Sequence, residues 1–312
     1  MPAILAIHGG AGTIPHVGMT PEMLEAHHAG LRRALRAGHA ILAAGGTALD
    51  AVTAAVMALE DDPLFNAGHG AVYTSAGKHE MDAAVMDGRN RNAGAVAGII
   101  GPRNPVLAAR AVLSSEHVML HGRGAEDFCR EHEVECAPAA HFHTDRRWDA
   151  LQAELERRRQ NAADTRSDAD RHGTVGAVAC DSGGNVAAST STGGMTAKAP
   201  GRIGDCPVFG AGTWADNLTC AVSATGHGEY FIRYAVAHEI ASRMRYLGET
   251  VEAASATVVD DLGVIGGNGG LIAVDAAGHV ALPFNSGGMY RGVIGTDGVA
   301  RTAVWREALQ DG

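Results

Sequence analysis

The chain predicts a layered α/β fold, with helices packed on sheets. Three observations carry that expectation. Short runs of small apolar and β-branched residues alternate with segments whose apolar positions recur every three or four residues. This mixture occurs on both sides of a charged tether, about residues 154–173, which holds almost no large apolar side chain. Of the 312 residues, 46% are hydrophobic but only 4% are aromatic, so a large core is built from closely packed small side chains.

In chain order, residues 3–7 read as a buried strand running into His8-Gly9-Gly10-Ala11-Gly12. Those glycines permit close backbone approach, but the run matches neither the P-loop nor the dinucleotide-binding pattern. Residues 21–44 carry Leu24, Leu31, Leu35, Ile41 and Leu42 at helical spacing. Thr47 is a good N-cap for a second helix reaching about Leu59, with Asp50 in its first turn. Leu59 to Gly70 is a loop by its Pro and Gly content. Glu60, Asp61 and Asp62 lack the alternating ligand spacing of a calcium loop, which favours a helix end and turn. Short strands are expected at 71–74, 81–86 and 93–100, with Asp87-Gly88 turning a hairpin between the last two. Helices follow at 106–113, 124–133 and 148–159.

Beyond the tether, strands are expected near 175–181, 186–191 and 219–224. Glu229 to Leu247 reads as one long helix whose Ile232, Ala235, Val236, Ile240, Met244 and Leu247 form a single buried stripe. A helix at 249–262, a hairpin of 270–274 with 279–283, and a last strand near 289–293 complete the chain.

Composition excludes several functions. A net charge of −10 argues against nucleic acid or an anionic membrane surface as partner. Ile4 to Ile7 has no basic leader, and no stretch approaches about 18 continuous apolar residues. The five cysteines are odd in number and lack a Cys-x-x-Cys, so no disulfide framework is expected and the cytoplasm is the default compartment. The closest histidine groupings, His27-His28 and His141-x-His143, have no third ligand at zinc spacing and read as surface or structural.

The chemically informative stretch is His172-Gly173-Thr174-Val175, where the tether meets a strand. A cut before Thr174 would give that threonine a free amine beside its hydroxyl. A threonine hydroxyl is a poor nucleophile until a base takes its proton. An α-amine titrates at about 7.7–8.0, in the range useful to a general base. One residue then carries nucleophile and base, and Gly173 tolerates the strained backbone that self-cleavage needs. Alone, Gly-Thr-Val is an ordinary loop entering a strand; context decides.

That context is an ordered set of motifs. Gly173 to Ala179 is followed by Ser189-Thr190-Ser191-Thr192-Gly193-Gly194-Met195, Pro200-Gly201-Arg202-Ile203-Gly204-Asp205 and Ala224-Thr225-Gly226-His227-Gly228-Glu229. His8 to Gly12 and Phe65-Asn66-Ala67-Gly68 precede them. Together they resemble the plant-type L-asparaginase family, also called isoaspartyl or β-aspartyl peptidases, of the N-terminal nucleophile hydrolases. The resemblance implies a four-layer α-β-β-α sandwich with two stacked, mainly antiparallel sheets. It implies one domain over residues 1–312, cut into 1–173 and 174–312. It makes Thr174 the nucleophile, places Thr192 close by to support its proton transfers, and has Asn66 orient it. Thr225 and Gly226 would form the oxyanion site, and Gly228 would help bind substrate. Arg202 would hold the substrate α-carboxylate with its planar fork and Asp205 the α-ammonium.

No catalytic cofactor is implied. A structural sodium ion is, held by backbone carbonyls that fall by position on Leu59, Glu60, Asp62, Phe65, Ala67 and His69. The substrate would be asparagine or a β-aspartyl dipeptide, and the enzyme a homodimer of cleaved units. His227 stands where relatives often carry a small polar residue. The rival readings are a glycosylasparaginase, an inactive binding relative that keeps the fold, and, remotely, a metal-binding histidine-rich protein.

Overall fold

The computed structural model describes residues 3–12, 14, 18–160 and 173–311. The first half comprises β1 (Ile4–Gly12), α1 (Pro21–Ala43), α2 (Ala48–Glu60), β2 (Met81–Asp87), β3 (Asn92–Ile99), α3 (Pro105–Leu113), β4 (Met119–His121), α4 (Gly122–Glu131), α5 (Ala139–Phe142) and α6 (Asp145–Arg159). The second comprises β5 (Val175–Cys180), β6 (Val186–Thr192), β7 (Thr213–Ala215), β8 (Cys220–Gly226), α7 (Gly228–Arg233), α8 (Val236–Leu247), α9 (Val251–Val264), β9 (Gly269–Asp275), β10 (Val280–Ala281), β11 (Gly288–Ile294), β12 (Arg301–Ala303) and β13 (Gln310–Asp311).

Nine strands form one sheet in the order β13-β12-β11-β1-β5-β6-β2-β3-β4, antiparallel except for the parallel β3/β4 pair. A second, antiparallel sheet runs β10-β9-β8-β7. The two halves of the chain therefore share the larger sheet, with β5 and β6 inserted between β1 and β2.

Strand alternation sorts the core into layers. Val175, Ala177 and Ala179 of β5 pack with Leu31, Leu35, Val52 and Val56 of α1 and α2, while Val178 and Cys180 face Ile272 and Val274 of β9. A third cluster joins Val222 and Leu271 of the small sheet to Val236 and Ile240 of α8 and Val259 of α9. The result is the α-β-β-α sandwich that the resemblance implied.

Several local expectations are corrected. Residues 71–74 are not a strand, because their backbone is used elsewhere: Val72 N–H donates to Asn66 Oδ1 at 2.9 Å and Thr74 N–H to the Lys78 carbonyl at 2.8 Å. The helix expected over 229–247 breaks at Ala235, which adopts left-handed φ of 46°. There the amides of Ala237 and His238 turn outward to the carbonyls of Ala211 and Gly210. The expected stripe shrinks accordingly: Val236 and Ile240 are buried, but Leu247 is 64% exposed. Residues 154–159 of the tether are the end of α6, and 161–172 lie outside the described residues. The short elements β4, β7, β12, β13 and α5 span only two to four residues each, too few for a periodicity to register. All five cysteines are unbridged, and no described helix is long and apolar enough to cross a membrane.

Candidate active site

Thr174 stands immediately before β5, and Thr192 is the last residue of the neighbouring β6. The register pairs Val175 with Ser191, which sets the two threonines side by side. Thr174 Oγ1 donates to Thr192 Oγ1 at 3.2 Å, Thr192 Oγ1 donates to the Gly173 carbonyl at 2.8 Å, and Gly194 N–H donates to Thr192 Oγ1 at 2.9 Å. Thr192 thus spends its one proton on Gly173 and accepts from Thr174, which leaves lone pairs on Thr174 Oγ1 free for attack.

The Gly173 carbonyl has a second donor. Asn66 Nδ2 lies 2.8 Å from it and 2.7 Å from the Gly194 carbonyl, while Asn66 Oδ1 accepts from Val72 N–H. All polar atoms of the amide are engaged, which fixes its orientation. Gly173 has φ of +151°, where side chains are strained, and a Cβ there would sit 3.1 Å from the Asn66 Cβ. On the opposite side Gly10 of β1, with φ +113°, passes so near that a Cβ would lie 3.1 Å from the Gly173 Cα. The glycine run after His8 therefore serves close approach to the 173–174 peptide.

Gly173, Thr174, Thr192, Arg202, Asp205 and Gly226 line one small cleft of about 10 Å³, joined by Gly194, Met195 and Gly204. Asp205 is 5% exposed, its Oδ2 has no hydrogen-bond partner, and burial raises its pKa to about 7 despite Arg202 nearby. A buried carboxylate with a vacant oxygen calls for a cation. Arg202 does not pair with Asp205 directly. Its Nε and Nη2 both donate to Glu229 Oε1, at 3.0 and 2.9 Å, so Glu229 orients the guanidinium at the cleft wall. Gly228 must be small: a Cβ would lie 2.7 Å from Asp205 Oδ1 and 3.0 Å from Arg202 Nη2.

Gly226 lines the cleft with φ +150°, and the buried Thr225 hydroxyl next to it accepts from Ala11 N–H at 3.2 Å, which does not use its own proton. The backbone of His227 is tied to the Asn268 carbonyl at 2.9 Å. Met195, Gly194 and Glu229 were not singled out by sequence. The first two adjoin Thr192, and Glu229 ends the Thr225–Gly228 motif, so adjacency was the available signal.

The loop nominated for sodium delivers Asn66. A Cβ on Gly70 would lie 2.0 Å from the Phe65 carbonyl and 2.7 Å from that of Pro63, and one on Gly68 would lie 2.5 Å from that of Glu60. The glycines let the loop fold tightly on itself, and the carbonyls of Leu59, Asp62 and Ala67 accept from the amides of Asp62, Phe65 and Gly70. Of the acidic side chains, Glu60 Oε1 accepts from Ser191 Oγ and Val106 N–H while its Oε2 is buried without a hydrogen-bond partner, and Asp62 pairs with Arg33. Among the described residues no group of three histidine, cysteine or acidic side chains is placed to hold a metal.

A family model described as asparaginase matches residues 1–304. The chain belongs to this asparaginase family. It is 47% identical to an isoaspartyl peptidase of Salmonella typhimurium, over 98% of this chain and 99% of that protein. It is 43% identical to a putative isoaspartyl peptidase/L-asparaginase of Dictyostelium discoideum, over 94% and 93% of the two chains. A probable isoaspartyl peptidase/L-asparaginase of Arabidopsis thaliana shares 39% identity over 96% of this chain and 98% of its own. Asparaginase-family membership accords with the sandwich and with the threonine cleft at its centre.

Proposed function

We propose that this chain is a self-processing threonine amidohydrolase that releases L-aspartate from L-asparagine and from β-aspartyl dipeptides. The observation that carries the reading is the Gly173–Thr174 peptide. A nucleophilic hydroxyl follows a glycine at φ +151° whose carbonyl already receives two hydrogen bonds, from Asn66 Nδ2 and Thr192 Oγ1. In maturation, Thr174 Oγ1 attacks the Gly173 carbonyl carbon, and the two donors stabilise the developing oxyanion. The C–N bond breaks, the proton passes to the Thr174 amine, and water hydrolyses the resulting ester to leave chains 1–173 and 174–312.

In turnover the freed amine acts as base. Thr174 Oγ1 attacks the side-chain carbonyl of the substrate, the leaving ammonia or amino acid takes the proton, and water resolves the aspartyl ester. Arg202 receives the α-carboxylate and Asp205, with its vacant oxygen, the α-ammonium. Gly228 leaves room for both. Thr225 and Gly226 supply the oxyanion site for this second reaction. Sodium on the carbonyls of the 59–69 loop would steady the segment carrying Asn66. We infer a homodimer of cleaved units acting in the cytoplasm, for which the unbridged cysteines supply a fitting redox state.

The test is the intact mass of purified, active protein under denaturing conditions. Two chains meeting at 173/174 are expected, and Thr174→Ala should stay uncut and inactive. A fully active preparation consisting of one uncut chain would sink the mechanism.

A further inference from the structure

His8 is wholly buried between β1 and β8, and the hydrolytic mechanism gives it no task. Its Nδ1 lies 2.9 Å from the carbonyl oxygen of Thr174, and its Nε2 lies 2.9 Å from Ser223 Oγ. A carbonyl cannot donate, so Nδ1 carries the proton. Burial drives the imidazole pKa down to about 3, so at neutral pH the ring is neutral and Nε2 is an acceptor. Ser223 must then donate to Nε2. Its single proton being used, Thr190 Oγ1, 2.7 Å away, must donate to Ser223. Thr213 Oγ1 ends the chain, 2.7 Å from Thr190 Oγ1 and 2.9 Å from the Cys206 carbonyl.

Thr213 has one proton for Thr190 and the Cys206 carbonyl, so the fixed direction runs from Thr190 through Ser223 and His8 to the carbonyl of Thr174. Strand β5 makes room for this chain. A Cβ on Gly176 would lie 2.0 Å from Ser223 Oγ and 2.4 Å from His8 Nε2, so glycine is required where the imidazole and hydroxyl meet.

We propose that His8 is a positioning residue for the nucleophile: it grips the main chain of Thr174, and the hydroxyls behind it fix the tautomer that makes the grip possible. The proposal rests on Thr174 being the nucleophile. It gains force from the cut at 173/174. His8 belongs to the fragment ending there, whereas Thr174, Thr190, Thr213 and Ser223 belong to the other. After cleavage Thr174 is a chain terminus, and termini fray unless tied down. The β1/β5 pairing ends at His8 opposite Gly176, so the imidazole extends the tie two residues further, to the reacting residue. Misplacing a nucleophile by about 1 Å costs on the order of 100-fold in rate.

The test compares His8→Asn with His8→Gln in the full chain. The asparagine amide nitrogen reaches the place of Nδ1 and can still donate to Thr174. The glutamine amide reaches the place of Nε2 and cannot. If His8 merely filled space, glutamine, nearer to histidine in volume, would be the better substitute. We expect matured His8→Asn to keep kcat within about fivefold of the parent and His8→Gln to lose about 30-fold or more, with KM changed by less than about threefold because Arg202 and Asp205 still hold the substrate. Where a variant matures too slowly, its self-cleavage half-time is the readout and the same order is expected, since the same residue attacks. A glutamine variant equal to or better than the asparagine one, or a loss confined to KM, overturns the proposal. Failure of the underlying reading would show separately, as an active Thr174→Ala or an active uncut parent.

Discussion

Removing the Asn66 amide should stall maturation while leaving a folded chain. In the uncut protein Asn66 Nδ2 sits 2.8 Å from the Gly173 carbonyl oxygen, the atom that becomes an oxyanion when Thr174 attacks. Thr192 Oγ1 is the other donor, also at 2.8 Å. Deleting one of two preorganised oxyanion donors costs about 100- to 1000-fold in rate, or ~2.7–4 kcal/mol. Asn66→Ala also leaves the Gly194 carbonyl and the Val72 amide without their partner, a stability loss of about 1–3 kcal/mol for each. Asn66→Asp separates the two effects. Its Oδ1 still accepts from Val72, but an oxygen replaces the donor that faced the Gly173 and Gly194 carbonyls. Cleavage of freshly made chain, followed by intact mass against time, should slow at least about 100-fold in both variants. Thermal melting and circular dichroism report whether the fold persists. A folded Asn66→Ala that cleaves within about threefold of the parent would refute the assigned geometry, because a donor worth that little is not aimed at the developing charge.

Three further outcomes follow from the cleft. Arg202→Lys should lower kcat/KM about 10- to 100-fold although the charge is kept, because an ammonium cannot reproduce the fork that Glu229 orients; substrates lacking the α-carboxylate should be insensitive to the change. On matured enzyme, kcat/KM should rise with pH through neutrality. The Thr174 amine must lose a proton near about 7.7–8.0, and Asp205, held at about 7 by burial, must be ionised to receive the substrate ammonium. Both groups act in the same direction, so the acid limb should be steeper than for one proton and become single in Asp205→Asn; a maximum near about pH 4 would contradict both assignments. Finally, melting at equal ionic strength should be higher in sodium chloride than in choline chloride if carbonyls of the 59–69 loop bind the ion, by mass action on the folded state.

Legibility in the sequence followed the range of the interactions concerned. Helices α1 and α2 were readable because their caps and stripes are local: Thr47 caps α2 by accepting from Asp50 N–H, as its sequence position suggested. The hairpin of β2 and β3 was readable for the same reason. The break at Ala235 was not, since the competing acceptors, Ala211 and Gly210, lie more than twenty residues away in sequence. The same divide runs through the cleft. Thr174, Thr192, Arg202 and Asp205 stood out by motif, but nothing in the sequence signalled that Glu229 orients Arg202. His8 stood in the sequence as the head of a glycine run. Only the fold brings it to residues 174 and 223.

The uncut cleft also sets the order of events. Its free space is about 10 Å³, roughly what one water needs, and Gly173 is part of its wall. On the proposed mechanism the uncut chain should therefore not hydrolyse asparagine. On this proposal the intact chain acts on itself before it acts on a substrate. Cutting the peptide would, by the same mechanism, do two things at once: free the amine that serves as base and release Gly173 from the cleft wall. Arg202 and Asp205 are already in position on the far side, one held by Glu229 and the other with an oxygen unpartnered. On this proposal recognition is thus built before the cut, with catalytic power following from the breaking of one bond.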